Sequence, residues 1–221
     1  MKIIDFHSHI LPGVDHGSSS KETTALQLSF AENSGISIVV ATPHFYPHKH
    51  NIEAFLEKKA KALEDMKSIT TPIKVLVGAE VLICEGLNKL PGIEKLCIEG
   101  SNVLLIELPF FDYRIAYKHT IEALIDDGFT VVLAHADRYD QSIIDDLVSA
   151  GAKIQLNASS IAKMFPKKSV ISWLKSDIVY AIGSDIHKED RLAYKKYQKA
   201  KKKLKNSFAK IMQRSETILN L

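Results

Sequence analysis

The chain has 221 residues, 46% of them hydrophobic and 25% charged, with a net charge of +3. That is the composition of an ordinary globular protein, long enough for a full core. No apolar run approaches the roughly 18 residues of a membrane span, the N-terminus shows no signal peptide, and Cys84 and Cys97 alone make no disulfide framework.

Those exclusions make the cytoplasm the expected compartment. The charge is uneven. Residues 188–214 hold 11 basic and 2 acidic residues, leaving 18 basic and 24 acidic elsewhere. A nucleic-acid-binding domain is usually basic as a whole, so nucleic acid is not an expected partner.

Residues 3–6 read as a short buried strand that runs into His7-Ser-His9. Residues two apart on a strand share a side. The two imidazoles therefore form half of a metal site. Pro12-Gly13 and Gly17 turn the chain and bring Asp15 and His16 back toward the same ion.

A helix is expected over 23–33, then a strand over 36–41 that leads to Thr42-Pro43-His44. Asn51 is an N-cap for a helix over 51–67. The strand over 73–78 runs into Ala79-Glu80, and the strand over 103–108 carries Glu107. A helix over 113–127 precedes a strand over 130–134 and His135. A helix over 141–150 precedes a strand over 153–156. The last strand, 178–182, leads to Ser184-Asp185-Ile186-His187.

About seven βα units imply a parallel sheet. Every strand except 153–156 has His, Asp or Glu near its end. Ligands from many strand ends converge only if the strands ring a common axis, which is a barrel with its chemistry at the C-terminal face. A doubly wound sheet focuses its ligands on one switch point instead. No G-x-G-x-x-G and no Walker loop is present. The expected fold is an α/β barrel, a single domain over 1–221, with a basic helical region from about 188.

The candidate ligands are His7, His9, His16, His44, Glu80, Glu107, His135, Asp185 and His187. Imidazole and carboxylate without thiolate suit Mn, Fe(II) or Zn. Nine ligands exceed one ion and suit two or three that share a carboxylate. Closely spaced ions clamp the oxygens of a phosphate. Glu80 and Glu107 end apolar strands, where a buried carboxylate is costly unless paired or metal-bound.

Arg138 is the candidate anion clamp, because a guanidinium offers a planar fork to phosphate oxygens. Its alternative is a salt bridge to Asp137 or Asp140. Arg191 is a second substrate-binding candidate. Asp15 either orients a ligand, acts as an acid or shapes the turn. His48, His50 and His119 read as solvated.

Taken together, His7-x-His9, Leu11-Pro-Gly-Val-Asp15-His16-Gly17, Ala41-Thr-Pro-His44, Gly78-Ala-Glu80, Glu107-Leu-Pro109, Ala134-His135-Ala-Asp-Arg138-Tyr139 and Gly183-Ser-Asp185-Ile-His187 resemble the PHP superfamily. Within it they are similar to the bacterial capsule-type, manganese-dependent tyrosine-protein phosphatases. The resemblance implies a distorted (β/α)7 TIM-like barrel with two or three divalent ions, Mn foremost and Fe or Zn as alternatives. It implies one ion on His7, His9, Glu80 and Asp185, a second on Glu80, Glu107 and His135, and a third completed by His16, His44 and His187. Arg138 then contacts the phosphate. The implied chemistry is hydrolysis by metal-bound hydroxide without a phosphoenzyme. The implied partner is the phosphorylated tyrosine-rich tail of an autophosphorylating kinase of capsule and exopolysaccharide export. Neither cysteine begins C-x5-R, since Leu90 and Val103 stand at the arginine positions, so a cysteine nucleophile has no candidate.

Three rivals remain at this stage. A small-molecule phosphomonoesterase of the histidinol-phosphatase kind keeps the metals and changes the substrate. An amidohydrolase also opens with H-x-H, but commonly needs a bridging lysine where this chain has Glu80 and Glu107. A silent scaffold would bind a kinase through the basic tail. In that tail Tyr197, Ala200, Leu204, Phe208, Ile211 and Ile218 recur at helical spacing, which makes a core-packed helix with solvated lysines the first expectation and an electrostatic guide the second.

One departure from the resemblance is testable. The family usually carries two acids before the glycine, and here the second is His16. His16→Ala is expected to lower bound metal as well as rate. His16→Asp is expected to keep activity and shift preference toward harder ions. Metal analysis of the purified variants checks both.

Overall fold

The computed structural model describes residues 1–221. Nine strands form: β1 (Ile4–Ser8), β2 (Ile38–Ala41), β3 (His44–Phe45), β4 (Lys74–Val77), β5 (Glu80–Leu82), β6 (Val103–Glu107), β7 (Thr130–Leu133), β8 (Lys153–Asn157) and β9 (Val179–Gly183). All pairings are parallel. One sheet has the order β1-β2-β4 and the other β3-β5-β6-β7-β8-β9.

All seven expected strands form within a few residues. β3 and β5 were not expected, and they arise from breaks in longer strands. Thr42-Pro43 separates β2 from β3, and Gly78-Ala79 separates β4 from β5. Proline cannot donate to a ladder. The register carries across both gaps, with Ala41 opposite Val77 and His44 opposite Glu80. The free edge of β1 bonds to the segment after β9. Asp185 N–H donates to the His7 carbonyl at 2.8 Å, and His9 N–H donates to the Ile186 carbonyl at 3.1 Å.

Eight helices cover the strands: α1 (Lys21–Asn33), α2 (Ile52–Met66), α3 (Ile115–Asp126), α4 (Gln141–Ser149), α5 (Ala158–Ala162), α6 (Lys168–Lys175), α7 (Arg191–Leu204) and α8 (Asn206–Ile218). Asn51 caps α2 as expected, accepting from Ala54 N–H at 3.2 Å. α5 and α6 were not expected, because elements of five and eight residues are too short to show a period. One core cluster of 58 buried residues runs from Ile4 to Leu219.

The basic tail folds as two helices. Lys205, at φ 49°, breaks the helical spacing between α7 and α8. Its apolar side grips β1: the Tyr197 hydroxyl donates to the Ile4 carbonyl at 2.5 Å, and Ile4 N–H donates to Met212 Sδ at 3.3 Å. Lys195, Lys199 and Lys202 lie on the exposed side, as the core-packed expectation required. His50 departs from the solvated reading. It packs beside Phe45 and Phe55 and accepts from Tyr46 N–H at 3.1 Å.

One core position is electrostatically unfavourable. Lys59 on α2 is only 7% exposed, with its ammonium 5.5 Å from the Phe55 ring centre. Burial pushes it down from 10.5 to about 8, against the pull of Glu99. Between those values the unfolded chain binds more protons than the folded one, so this group makes stability rise with pH. Lys59→Met is expected to stabilise the fold at pH 7 by about 1–3 kcal/mol, with the gain shrinking as pH rises from 8 toward 10.5. Denaturant unfolding across that range checks it.

Candidate metal centre

β1 delivers His7 and His9 to one side, with their Nε2 atoms 3.1 Å apart. The other ring nitrogens set the tautomers. His7 Nδ1–H donates to Gln155 Oε1 at 3.2 Å, and His9 Nδ1–H donates to Asp15 Oδ2 at 2.7 Å. Both acceptors lack a proton to give. Each Nε2 therefore faces the centre, the arrangement seen in metal-ligating histidines. Asp15 also accepts from Gly17 N–H at 2.8 Å and His44 N–H at 3.0 Å. Burial works against its charge, but His9 and these N–H groups outweigh burial and hold the carboxyl well below the usual range. Asp15 thus both orients His9 and ties the turn at Gly17.

Glu80 begins β5 and stands at the hub. Its Oε1 is 2.8 Å from His135 Nε2. Its Oε2 lies 2.9 Å from His44 Nδ1 and 3.3 Å from the Nε2 atoms of both His7 and His9. Burial would raise its pKa, yet the surrounding imidazoles hold it well below the ordinary value. His135 feels the converse. Burial pushes it down, and Glu107 and Glu80 lift it to about 9. Asp185 Oδ1 is 3.5 Å from His9 Nε2, and the His187 ring stacks on His9 at 4.0 Å.

The backbone is shaped to permit this crowding. His135 and Asp185 sit at φ 33° and 53°, a left-handed conformation that costs a non-glycine residue of order 1–3 kcal/mol. At Gly17 an added Cβ would lie 2.3 Å from His9 Cβ, and at Gly183 one would lie 2.5 Å from His7 Cβ. Only glycine lets the chain pass behind the two imidazoles.

The donors fit a metal. Two buried ring nitrogens of the cluster, His135 Nδ1 and His187 Nε2, have no hydrogen-bond partner, and His44 Nδ1 and Glu80 Oε2 have only each other, at 2.9 Å and without hydrogen-bond alignment. Folded proteins leave few such atoms. Three donor groups have their ligand atoms within 4.8 Å of one another: His9-His44-His187, His7-His9-Asp185 and His44-Glu80-Glu107. His44 thus joins two groups. His16 joins none of them. It is exposed, and its ring stacks at 4.8 Å on His44 and 4.7 Å on His187.

Arg138 is 35% exposed at the rim and bonds Asp185, not Asp137 or Asp140. Arg191 has its guanidinium 5.9 Å from the Phe30 ring centre. Five residues outside the candidate set complete the network: Gln155, Asn157, Asp5, Ser184 and Tyr194. Gln155 accepts from His135 N–H at 2.6 Å and donates to Asn157 at 3.0 Å, and Asn157 donates to Asp185 at 3.0 Å. Two amides at spacing two in an apolar strand were the available signal. Asp5 accepts from the Ser184 N–H at 2.7 Å, the Ser184 hydroxyl at 2.6 Å and the Tyr194 hydroxyl at 2.8 Å, while burial raises it to about 6. It ties β1 to the Asp185 turn.

Residues 3–220 match the profile of a family described as capsular polysaccharide synthesis, CpsB/CapC. The chain belongs to the CpsB/CapC family. Among CpsB/CapC proteins, the tyrosine-protein phosphatase CpsB of Streptococcus pneumoniae is 29% identical over 211 residues, 85% of this chain and 84% of its own. The tyrosine-protein phosphatase YwqE of Bacillus subtilis is 26% identical over 201 residues, 84% of this chain and 77% of its own. A crystal structure from work on YwqE and CpsB, described as metal-dependent tyrosine phosphatases, superposes with TM-score 0.80 at 23% identity, over 99% of this chain and 94% of that one. A β-aspartyl dipeptidase from Fervidobacterium islandicum reaches 0.55 at 15% identity over 98% and 71%, a likeness of fold alone.

In this CpsB/CapC chain, Asp15→Asn removes the charge from His9 and keeps one acceptor oxygen for it, while the amide NH2 replaces the oxygen that takes Gly17 N–H. Metal affinity is expected to fall about 10- to 100-fold with the fold intact. Metal titration beside a thermal melt checks both parts.

Proposed function

We propose that this protein is a metal-dependent protein-tyrosine phosphatase acting on the phosphorylated tyrosine-rich tail of a bacterial kinase of capsule or exopolysaccharide export. The observation that carries the reading is a buried cluster of imidazole and carboxylate donors, in three groups whose ligand atoms lie within 4.8 Å of one another, in a chain of the CpsB/CapC family. His7, His9, His44, Glu80, Glu107, His135, Asp185 and His187 would hold two or three divalent ions, with His16 at the edge. Mn leads, and Fe or Zn are alternatives, since mixed nitrogen and oxygen donors suit all three. Such ions supply Lewis acidity to phosphate oxygens and lower the pKa of a water.

The chain's own residues do the rest. Gln155 and Asp15 hold the tautomers of His7 and His9. Arg138 brings a fixed positive charge and a donor fork to the phosphate, while Arg191, resting on Phe30, is the weaker candidate for that role. The tyrosine phenol, with a pKa of about 10, leaves more readily than a seryl alcohol. We read the two sheets as one distorted seven-stranded barrel, with β2–β3 and β4–β5 each counted once and β1 meeting the segment after β9. On this reading residues 1–221 form one domain. No helix is long and apolar enough to cross a membrane, and a kinase tail is phosphorylated where ATP is, in the cytoplasm.

Chelation is expected to abolish hydrolysis of p-nitrophenyl phosphate and phosphotyrosine peptides, and Mn2+ to restore it. Phosphoserine peptides should turn over little. Arg138→Ala should lose roughly 10- to 1000-fold in kcat/KM. Higher kcat/KM on histidinol phosphate than on phosphotyrosine peptide would replace the tyrosine reading with the small-molecule one. Full activity without metal would remove both.

A further inference from the structure

Beside the metal centre lies a cavity of about 320 Å³ lined by Leu108, Phe110, Arg138, Tyr139 and Ile143 among others. That volume is near the low end of the ~300–1,000 Å³ of small-molecule sites. Two of its walls are chain leaving the centre. Leu108 directly follows Glu107, and Tyr139 directly follows Arg138, which lines the cavity while bonding Asp185. The Tyr139 hydroxyl donates to the Leu108 carbonyl at 2.7 Å and staples the walls together. The rings form a line outward: His135 to Tyr139 at 5.7 Å between centres, then Tyr139 to Phe110 at 6.4 Å. At the mouth Phe110 is 65% exposed and Phe111 85%. Clustered exposed aromatics of this kind mark a binding surface more often than chance.

We propose that this cavity seats the aromatic ring of the substrate, with Phe110 as a wall that selects aryl over alkyl phosphates. The inference rests on the phosphatase reading and names the part of the site that recognises the tyrosyl group. The ring of a phosphotyrosyl ester stands one oxygen away from phosphorus. With the phosphate at the donor cluster and Arg138, we place that ring in the adjoining cavity, which Arg138 and Tyr139 both line. Flat faces in offset or edge-on contact hold it. A seryl or other alkyl phosphate has no face to offer.

Calorimetric titration of the metal-loaded protein with phenylphosphonate and methylphosphonate tests this without turnover. The wild type is expected to bind the phenyl compound about tenfold more tightly, as removal of one aromatic face from water predicts. Phe110→Ala should cut that ratio to about twofold or less, and Phe110→Tyr should keep it. Three outcomes overturn the proposal: no preference in the wild type, a preference that survives both Phe110→Ala and Ile143→Ala, or an equal loss for both ligands. Turnover of phenyl phosphate by the wild type is scored separately and decides the phosphatase reading alone.

Discussion

A buried carboxylate surrounded by imidazoles is the constraint on which the rest of this structure depends. Glu80 is 1% exposed, and its two oxygens face His7, His9, His44 and His135 within 3.3 Å. Charge removed from water is stabilised only by opposite charge and complete hydrogen bonding. The imidazoles supply part of that, and two ring nitrogens of the cluster remain without a partner. Divalent cations meet both needs at once, because each ligand atom gains a bond and the acids gain a counter-charge. The left-handed backbone at His135 and Asp185 belongs to the same economy of strain. Residues held in costly conformations cluster where a site over-determines them.

The scaffold under the centre explains why the basic tail is part of the fold. β1 carries His7 and leads directly into His9, and its backbone is held from three directions. β2 pairs on one edge, the Asp185–Ile186 segment bonds on the other, and α7 and α8 close from behind through Tyr197 and Met212. Asp5 joins these parts, since its carboxylate takes hydrogen bonds from Ser184 and Tyr194 together. The lysines of α7 are a consequence of that docking. One side is apolar because it packs, and the other is charged because it meets water.

The centre and its surroundings divide the labour. The donor cluster is buried and braced by amides and carboxylates, which hold its imidazoles in fixed orientations. The rim beyond Arg138 is aromatic and open. Binding energy at a rigid centre serves the reacting atoms, and contacts at the rim discriminate among what is attached to them. One fold hosts many chemistries, which is why likeness to a dipeptidase fold says nothing about the substrate.

The sequence by itself determined the periodic and the covalent features. Strand positions followed from short apolar runs and the α2 start from its Asn51 cap, and the donor types followed from His, Glu and Asp recurring at strand ends. Those signals are local, so they are readable one segment at a time. Tertiary structure alone decided what depends on distance through space. It split two strands at Pro43 and Gly78, broke the tail at Lys205, gave Arg138 to Asp185 and set Arg191 against Phe30. It placed Asp15 behind His9 as an orienting acceptor, and it grouped His44 with both Glu80 and His9 while leaving His16 outside the donor groups. Asp5 and Ser184 had no sequence signature of their role, because a hydrogen bond between residues 179 positions apart has no period to betray it.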